Sequence, residues 1–426
     1  MARTTFELAY GSTEFTFEIE PERVLGVLQP AEAPPSRAPD ELVRAALAEP
    51  VRSKKLSELF QGGESTVIVV PDKTRNAGLP DVLPVLLGEL NRLGVRDSDV
   101  CLLVATGSHS GHTREELSSL LGADVYARVE VVEHDCRDPQ ALRHLGETRF
   151  GTPVSLNPRL LEADRIVVVA TAVHHYFAGY GGGLKMIHPG CAGYETITRN
   201  HARTIDPQTG GIHPNCRSGV MQGNPVQEDL RDAMRFVKVD FLIETVLGQN
   251  GKIAEVVCGD LFAAHDRACA LVDRYYRVPI EQPADLVVVS CGGFPKDINL
   301  VQAHKSLYNA SQAVREGGVI LWLAECREGA GSPTFLKWFD YDDQDLVREL
   351  GARYTLNGTT ALSVRMRVRR ARVVLISTLE PELVRKVGAL PAPDLQSGWE
   401  LARSFLPDDF GAYVIPHGAL TLPVVA

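Results

Sequence analysis

The densest chemistry in this chain lies in one run, His174-His175-Tyr176-Phe177-Ala178-Gly179-Tyr180-Gly181-Gly182-Gly183-Leu184-Lys185, which continues through Pro189-Gly190 to Asn200-His201. Four glycines between Gly179 and Gly183 remove the side chains that would keep a flat ligand away from the backbone, and the Lys185 amine follows two residues later. A spacer would be padded with Ser and Pro. Here bare backbone is mixed with aromatics and flanked by imidazoles and an amine, as in a ligand site. Adjacent residues on an extended segment point opposite ways, so one of His174 and His175 enters that site, and the spacing to Lys185 selects His175. Taken alone, Lys185 also fits a phosphate-binding lysine at a helix start.

Other polar residues must be delivered to the same place by regular elements. The apolar, β-branched run at 166–170 is too short for a helix and reads as a buried parallel strand. Runs at 66–70, 100–105 and 129–132 read the same way, with helical patterns at 79–93 and 113–121 between them. Each strand ends in polar residues: Asp72-Lys73-Thr74-Arg75, Thr106-Gly107-Ser108-His109, Glu133-His134-Asp135 and His174-His175. In open α/β sheets, ligands bind in the crevice at that edge. Asp72 and Arg75 could also form a plain salt bridge, and His112 reads as an exposed loop residue. His188, His213, His304 and His417 read as structural histidines.

A second strand series occupies 285–290, 318–323 and 373–377, after a long helix that ends near Tyr276. The expected fold class is therefore α/β: two α/β domains with mainly parallel sheets and an active-site cleft between them. Residues 1–278 form the expected N-terminal domain and 284–411 the C-terminal one, with a final strand in 412–426 free to rejoin the first. Alternating side chains through 5–30 suggest an antiparallel hairpin at an edge, and Pro30 to Pro39 a connector.

Composition excludes several classes. A chain of 426 residues is too long for one ordinary core. No apolar run approaches the roughly 20 residues of a membrane span, and the first residues do not resemble a secretory signal, so a cytoplasmic protein is expected. The net charge of −10 argues against nucleic acid; the only basic block, Arg365 to Arg372, alternates with Val and Met as on one face of a strand. Eight cysteines without a Cys-x-x-Cys pair suggest neither disulfides nor a zinc ribbon, and Cys101, Cys258, Cys269 and Cys291 read as core thiols.

Together, the run His175 to Lys185 with Pro189-Gly190 and Asn200-His201 resembles the central motif of the lactate racemase family, whose members use a nickel-pincer nucleotide. Asp72-Lys73-Thr74-Arg75, Ala105-Thr106-Gly107-Ser108-His109, Gly292-Gly293-Phe294-Pro295-Lys296-Asp297 and Gln302-Ala303-His304-Lys305 are similar to its other motifs, in the same order. The resemblance implies a cofactor, pyridinium-3-thioamide-5-thiocarboxylic acid mononucleotide with nickel, covalently attached at Lys185. It implies His201 as the nickel ligand, with Asp72, Thr74, Gly181, Gly182 and Gly183 around the cofactor. It further implies His109 and His175 as paired acid/base groups, Arg75, Gln302 and Lys305 as substrate contacts, and cofactor-synthesis proteins as loading partners.

The expected reaction is interconversion of the enantiomers of a 2-hydroxy acid, lactate foremost. Its C2–H bond is barely acidic, so hydride removal with loss of the hydroxyl proton is the easier route. The resulting keto acid is planar, and two imidazoles from different strands suit the two faces. The side chains themselves fit those duties: an arginine can bind a carboxylate bidentately, and nickel accepts an imidazole readily. Asn76, Ser110-Gly111-His112, Gly181 and Leu184 depart from the family pattern and alter the pocket rim without removing a catalytic group. A nicotinamide-dependent 2-hydroxy-acid dehydrogenase is the main alternative, but the glycines lack Gly-x-Gly-x-x-Gly spacing. A non-catalytic nucleotide-binding protein would need neither the paired histidines nor the substrate contacts.

Overall fold

The computed structural model describes residues 3–32, 37–206 and 208–426. The chain divides into two compact units, 32–204 with 214–275, and 1–31 with 205–213 and 276–426.

The first unit is built on a six-stranded sheet, in the order Ile253–Gly259, Phe241–Leu247, Arg165–Thr171, Thr66–Pro71, Val100–Ala105, Glu130–Glu133. Every pairing is parallel except that of the edge strand Ile253–Gly259. Thr66–Pro71 is buried along its whole length, which explains its unbroken apolar sequence. The helix Leu79–Arg92 covers the sheet with Leu79, Val82, Leu83, Leu86, Leu87 and Leu90, an i, i+3, i+4 stripe. Pro80 sits in its first turn, where a missing N–H costs nothing. The strand order turns back between Thr66–Pro71 and Arg165–Thr171, which makes their carboxyl ends the switch point of the sheet.

The second unit carries a fully parallel six-stranded sheet, Leu390–Ala392, Arg372–Ile376, Val314–Leu323, Ala284–Ser290, Ala412–Ile415, Val24–Val27. Its outermost strand corrects the expected domain boundaries: the first 31 residues fold here and not with the N-terminal domain. The antiparallel hairpin Thr4–Tyr10 with Thr13–Ile19 forms as expected, and buries Leu8, Phe17 and Ile19 against Leu286, Val288 and Leu321. The final strand, Ala412–Ile415, also stays in this unit, paired with Ala284–Ser290. Of the expected connector Pro30 to Pro39, residues 33–36 lie outside the described residues.

The block Arg365 to Arg372 is not a strand. Arg365 to Arg370 end the helix Gly358–Arg370, whose first two turns, Gly358 to Val364, are buried all round, while the arginines gather in the last turns, where cations favour the helix dipole. All eight cysteines are buried and free. Among the described residues no helix is long and apolar enough to cross a membrane.

Candidate active site

Asp72 leaves the carboxyl end of Thr66–Pro71 with 3 % of its surface exposed, so its oxygens need partners within the protein. Oδ1 accepts the Thr74 hydroxyl at 2.6 Å and the Thr74 N–H at 3.1 Å; Oδ2 lies 2.6 Å from His109 Nδ1. Burial by itself would raise the Asp72 pKa, but His109, Thr74 and Arg75 together outweigh it and hold the carboxyl below its ordinary range. An ionised carboxylate only accepts, so His109 Nδ1 donates to it, and in the neutral ring Nε2 is then the nitrogen with the lone pair. Arg75 leans back on Thr74 through Nη1, 2.9 Å from its carbonyl and 3.2 Å from its hydroxyl.

The loop that carries His109 is stitched to the segment after Lys185. Gly107 N–H donates to Gly190 O at 2.9 Å, and the Thr106 hydroxyl donates to the His134 carbonyl. His134 Nε2 in turn donates to Ala192 O at 2.9 Å, while its Nδ1 accepts from Asn157 at 3.2 Å. His112 is not exposed as expected: its ring is fully covered, Nδ1 2.6 Å from Glu133 and Nε2 accepting the Lys73 N–H at 3.0 Å. It braces the Asp72 turn.

The glycine track begins as a small antiparallel ribbon, Val173–His175 with Gly179–Gly181. Beyond it the backbone is pressed onto a buried pair from later in the chain, Glu244 and His265, whose Oε2 and Nδ1 are 2.9 Å apart. A Cβ on Gly182, at φ +90°, would meet Glu244 Oε1 at 2.0 Å; one on Gly183, at φ +45°, would meet the His265 ring at 2.5 Å. Burial lowers the His265 pKa, but Glu244 and Cys269 more than reverse it. Gly182→Ala is therefore expected to cost about 3 kcal/mol or more, from strain and overpacking combined. A thermal melt should register this as a fall of roughly 6 °C or more; an unchanged midpoint would mean that the track does not rest on Glu244.

The resulting turn, Gly183–Met186, presents Lys185. Its Nζ lies 5.3 Å from the centre of the Phe177 ring, and among the described residues it has no carboxylate partner. Burial, and then the Arg75 guanidinium, bring its pKa down to about 7. The same Phe177 ring meets His175 at 4.5 Å and His201 at 5.1 Å, centre to centre. His175 Nδ1 accepts the Ala178 N–H at 3.2 Å, whereas His174 turns to Asp273, 2.8 Å from its Nε2. His201, on the helix Tyr194–Ala202, is pushed well below the ordinary histidine range by burial and by Lys185 and His188. His188 is wholly buried, and among the described residues neither ring nitrogen has a hydrogen-bond partner.

Asp72, Thr74, Arg75, His109, His175, Gly181, Gly182, Gly183, Lys185 and His201 thus belong to one unit, at its switch point. Gln302 and Lys305 belong to the other. They lie one turn apart on the helix Leu300–Ala313, with Lys305 Nζ donating to Gln302 Oε1 at 2.7 Å. Sequence reasoning assigned no role to Phe177 or His134, although the first lies inside the motif and the second at a strand end, and it read His188 as structural; nothing in the local pattern of Glu244 and His265 signals their long-range contact.

A doubly wound sheet with a carboxylate–imidazole pair and a partly buried amine at its switch point defines a small-molecule enzyme. The family model for the lactate racemase N-terminal domain matches residues 10–211, and that for the lactate racemase C-terminal domain matches 280–422. A lactate racemase of Thermoanaerobacterium thermosaccharolyticum is 30 % identical over 421 residues, 97 % of each chain. One of Lactiplantibacillus plantarum is 33 % identical over 331 residues, 77 % of this chain and 76 % of that one. The lactate racemase apoprotein structure from T. thermosaccharolyticum superposes with a TM-score of 0.90 at 29 % identity, covering 99 % of this chain and all of that one. The chain belongs to the lactate racemase family of isomerases.

Proposed function

We propose that this protein interconverts the enantiomers of a 2-hydroxy acid, lactate foremost, with a nickel-pincer nucleotide joined to Lys185 and nickel held by His201. One observation carries the reading: the Lys185 amine, without a carboxylate partner, lies over the Phe177 ring that also meets His175 and His201. The residues fit such a group. The glycine track lets the backbone pack on Glu244 and His265 and so sets the turn that presents Lys185, and an amine with a pKa of about 7 is substantially neutral and nucleophilic near pH 7. The orphaned His188 nitrogens need the kind of polar partner that a nucleotide would bring.

When bound, the group supplies the electrophilic carbon and the metal that take up hydride from C2 and give it back. Arg75 binds the substrate carboxylate with the part of its fork not committed to Thr74. His109 takes the hydroxyl proton on Nε2, and Asp72 stabilises the imidazolium that forms. His175, with Nδ1 occupied by the Ala178 N–H, carries its proton on Nε2 and presents a donor to the keto oxygen. The two rings therefore start in different tautomers. For His175 to act as the base toward the opposite enantiomer, its Ala178 contact must give way. Thr74 keeps Asp72 and Arg75 in register, and proteins that build the nucleotide load it in the cytoplasm.

Loading should follow the amine: adduct formation at fixed time is expected to rise as pH climbs through about 7 and to level off above it, read by intact mass. Adduct formation independent of pH from 6 to about 9 would contradict a nucleophilic Lys185. For the reaction itself, loaded protein is given either enantiomer of C2-deuterated lactate. Both should converge on an equal mixture with the deuterium retained at C2. Exchange of the deuterium with solvent would indicate proton abstraction and overturn the hydride route.

A further inference from the structure

The second sheet has a switch point of its own, between Ala284–Ser290 and Ala412–Ile415, which run parallel with Val289 opposite Ile415. The physical rule that locates the first site applies equally here: in open α/β sheets, ligands bind beyond the carboxyl ends of the strands at such a point. Two cationic or donor side chains meet at it. Lys296 follows the first strand, and His417 follows the second.

The chain leaves the first strand through two consecutive left-handed residues, Gly292 at φ +93° and Gly293 at φ +69°. This turn is fixed on both sides: Gly292 N–H donates to Ser290 Oγ at 2.9 Å, Phe294 N–H to Gly11 O at 2.8 Å, and Gly418 N–H to Ser290 O at 2.8 Å. The space a Cβ would take on Gly292 lies 3.3 Å from Lys296 Nζ and 3.5 Å from His417 Nδ1. Both groups therefore lie side by side over the bare backbone of Gly292.

Neither group is neutralised. Lys296 has no carboxylate within ion-pair distance among the described residues. Its sequence neighbour Asp297 is buried and turned to backbone, Oδ2 accepting from Gly11 at 2.7 Å and from Glu325 at 3.3 Å. Burial lowers the pKa of both Lys296 and His417, and the lysine lowers that of the histidine further. A half-buried amine and imidazole, held together without an anion, are unfavourable unless an anion joins them.

We propose that Lys296, His417 and the Gly292-Gly293 turn form an oxyanion site that takes the carboxylate or phosphate group of a small molecule. Lysine supplies the charge, His417 a directional donor, and the glycine the close approach.

The test uses the full, unloaded chain and two probes, inorganic phosphate and pyruvate, each titrated calorimetrically. Saturable binding of at least one is expected; phosphate alone assigns a phosphorylated ligand, pyruvate alone a carboxylate. Lys296→Met should weaken that binding by about tenfold or more, Lys296→Arg should restore most of it, and His417→Gln should weaken it less. Gly292→Ala, whose methyl would press on Lys296 Nζ and His417 Nδ1 while leaving both side chains in place, should weaken it as much as Lys296→Met does. Arg75→Met and Lys305→Met should leave it intact. Binding of neither anion, or binding that survives Lys296→Met and is lost with Arg75→Met, would overturn the assignment and leave the reading of the first site untouched.

Discussion

Lys185→Ala is expected to reduce racemisation of both enantiomers to the buffer background, a fall of about a millionfold or more, because the whole acceleration depends on the group it tethers. The fold should survive. The unfolded chain binds the lysine proton up to its ordinary value of 10.5, whereas the folded chain binds it only to about 7. Between those values the unfolded state holds more protons, so this lysine costs stability increasingly as pH falls toward 7. The variant should therefore melt at or above the wild-type midpoint at pH 7, and the advantage should shrink toward pH 10. Kinetics and melts on the same sample separate loss of the tether from loss of structure. A variant that keeps even a hundredth of wild-type activity would show that Lys185 is not the attachment point.

Asp72→Asn should have the next largest effect. Asparagine keeps the shape and the Thr74 contacts but exchanges an obligate acceptor for an amide that can donate to His109 Nδ1. The ring proton would then move to Nε2, and the lone pair aimed at the substrate hydroxyl would be lost. A fall in kcat of about a thousandfold or more is expected, the scale found when a catalytic imidazole is set in the wrong tautomer, with KM moved little. Because the two enantiomers are equal in free energy, kcat/KM must fall by the same factor in both directions. A kcat within a few-fold of wild type would remove Asp72 and His109 from the proton-transfer step.

The central strands and the site motif were legible for a physical reason. Parallel strands buried on both faces read as near-continuous apolar runs, as 66–70, 100–105 and 166–170 do. The polar residues at their ends followed from the same reading. Contacts between distant segments were not legible. Glu244 and His265 support the glycine turn from positions some 60 and 80 residues later in the chain, and neither carries a local signal. His112 looked like a loop residue because its partner, Glu133, lies on another strand end. The first 31 residues were assigned to the wrong unit because a strand's neighbour in a parallel sheet is not given by its neighbour in sequence. The arginines at 365–370 spaced themselves ambiguously between periods of two and nearly four, and they continue a helix whose first turns, Gly358 to Val364, are wholly buried.

Peptide mapping by mass spectrometry, on protein made together with the cofactor-building proteins, tests the central claim most directly. The nucleotide mass should be found on the peptide that contains Lys185, and on no other lysine. An active racemase whose Lys185 peptide has its bare mass would contradict the account.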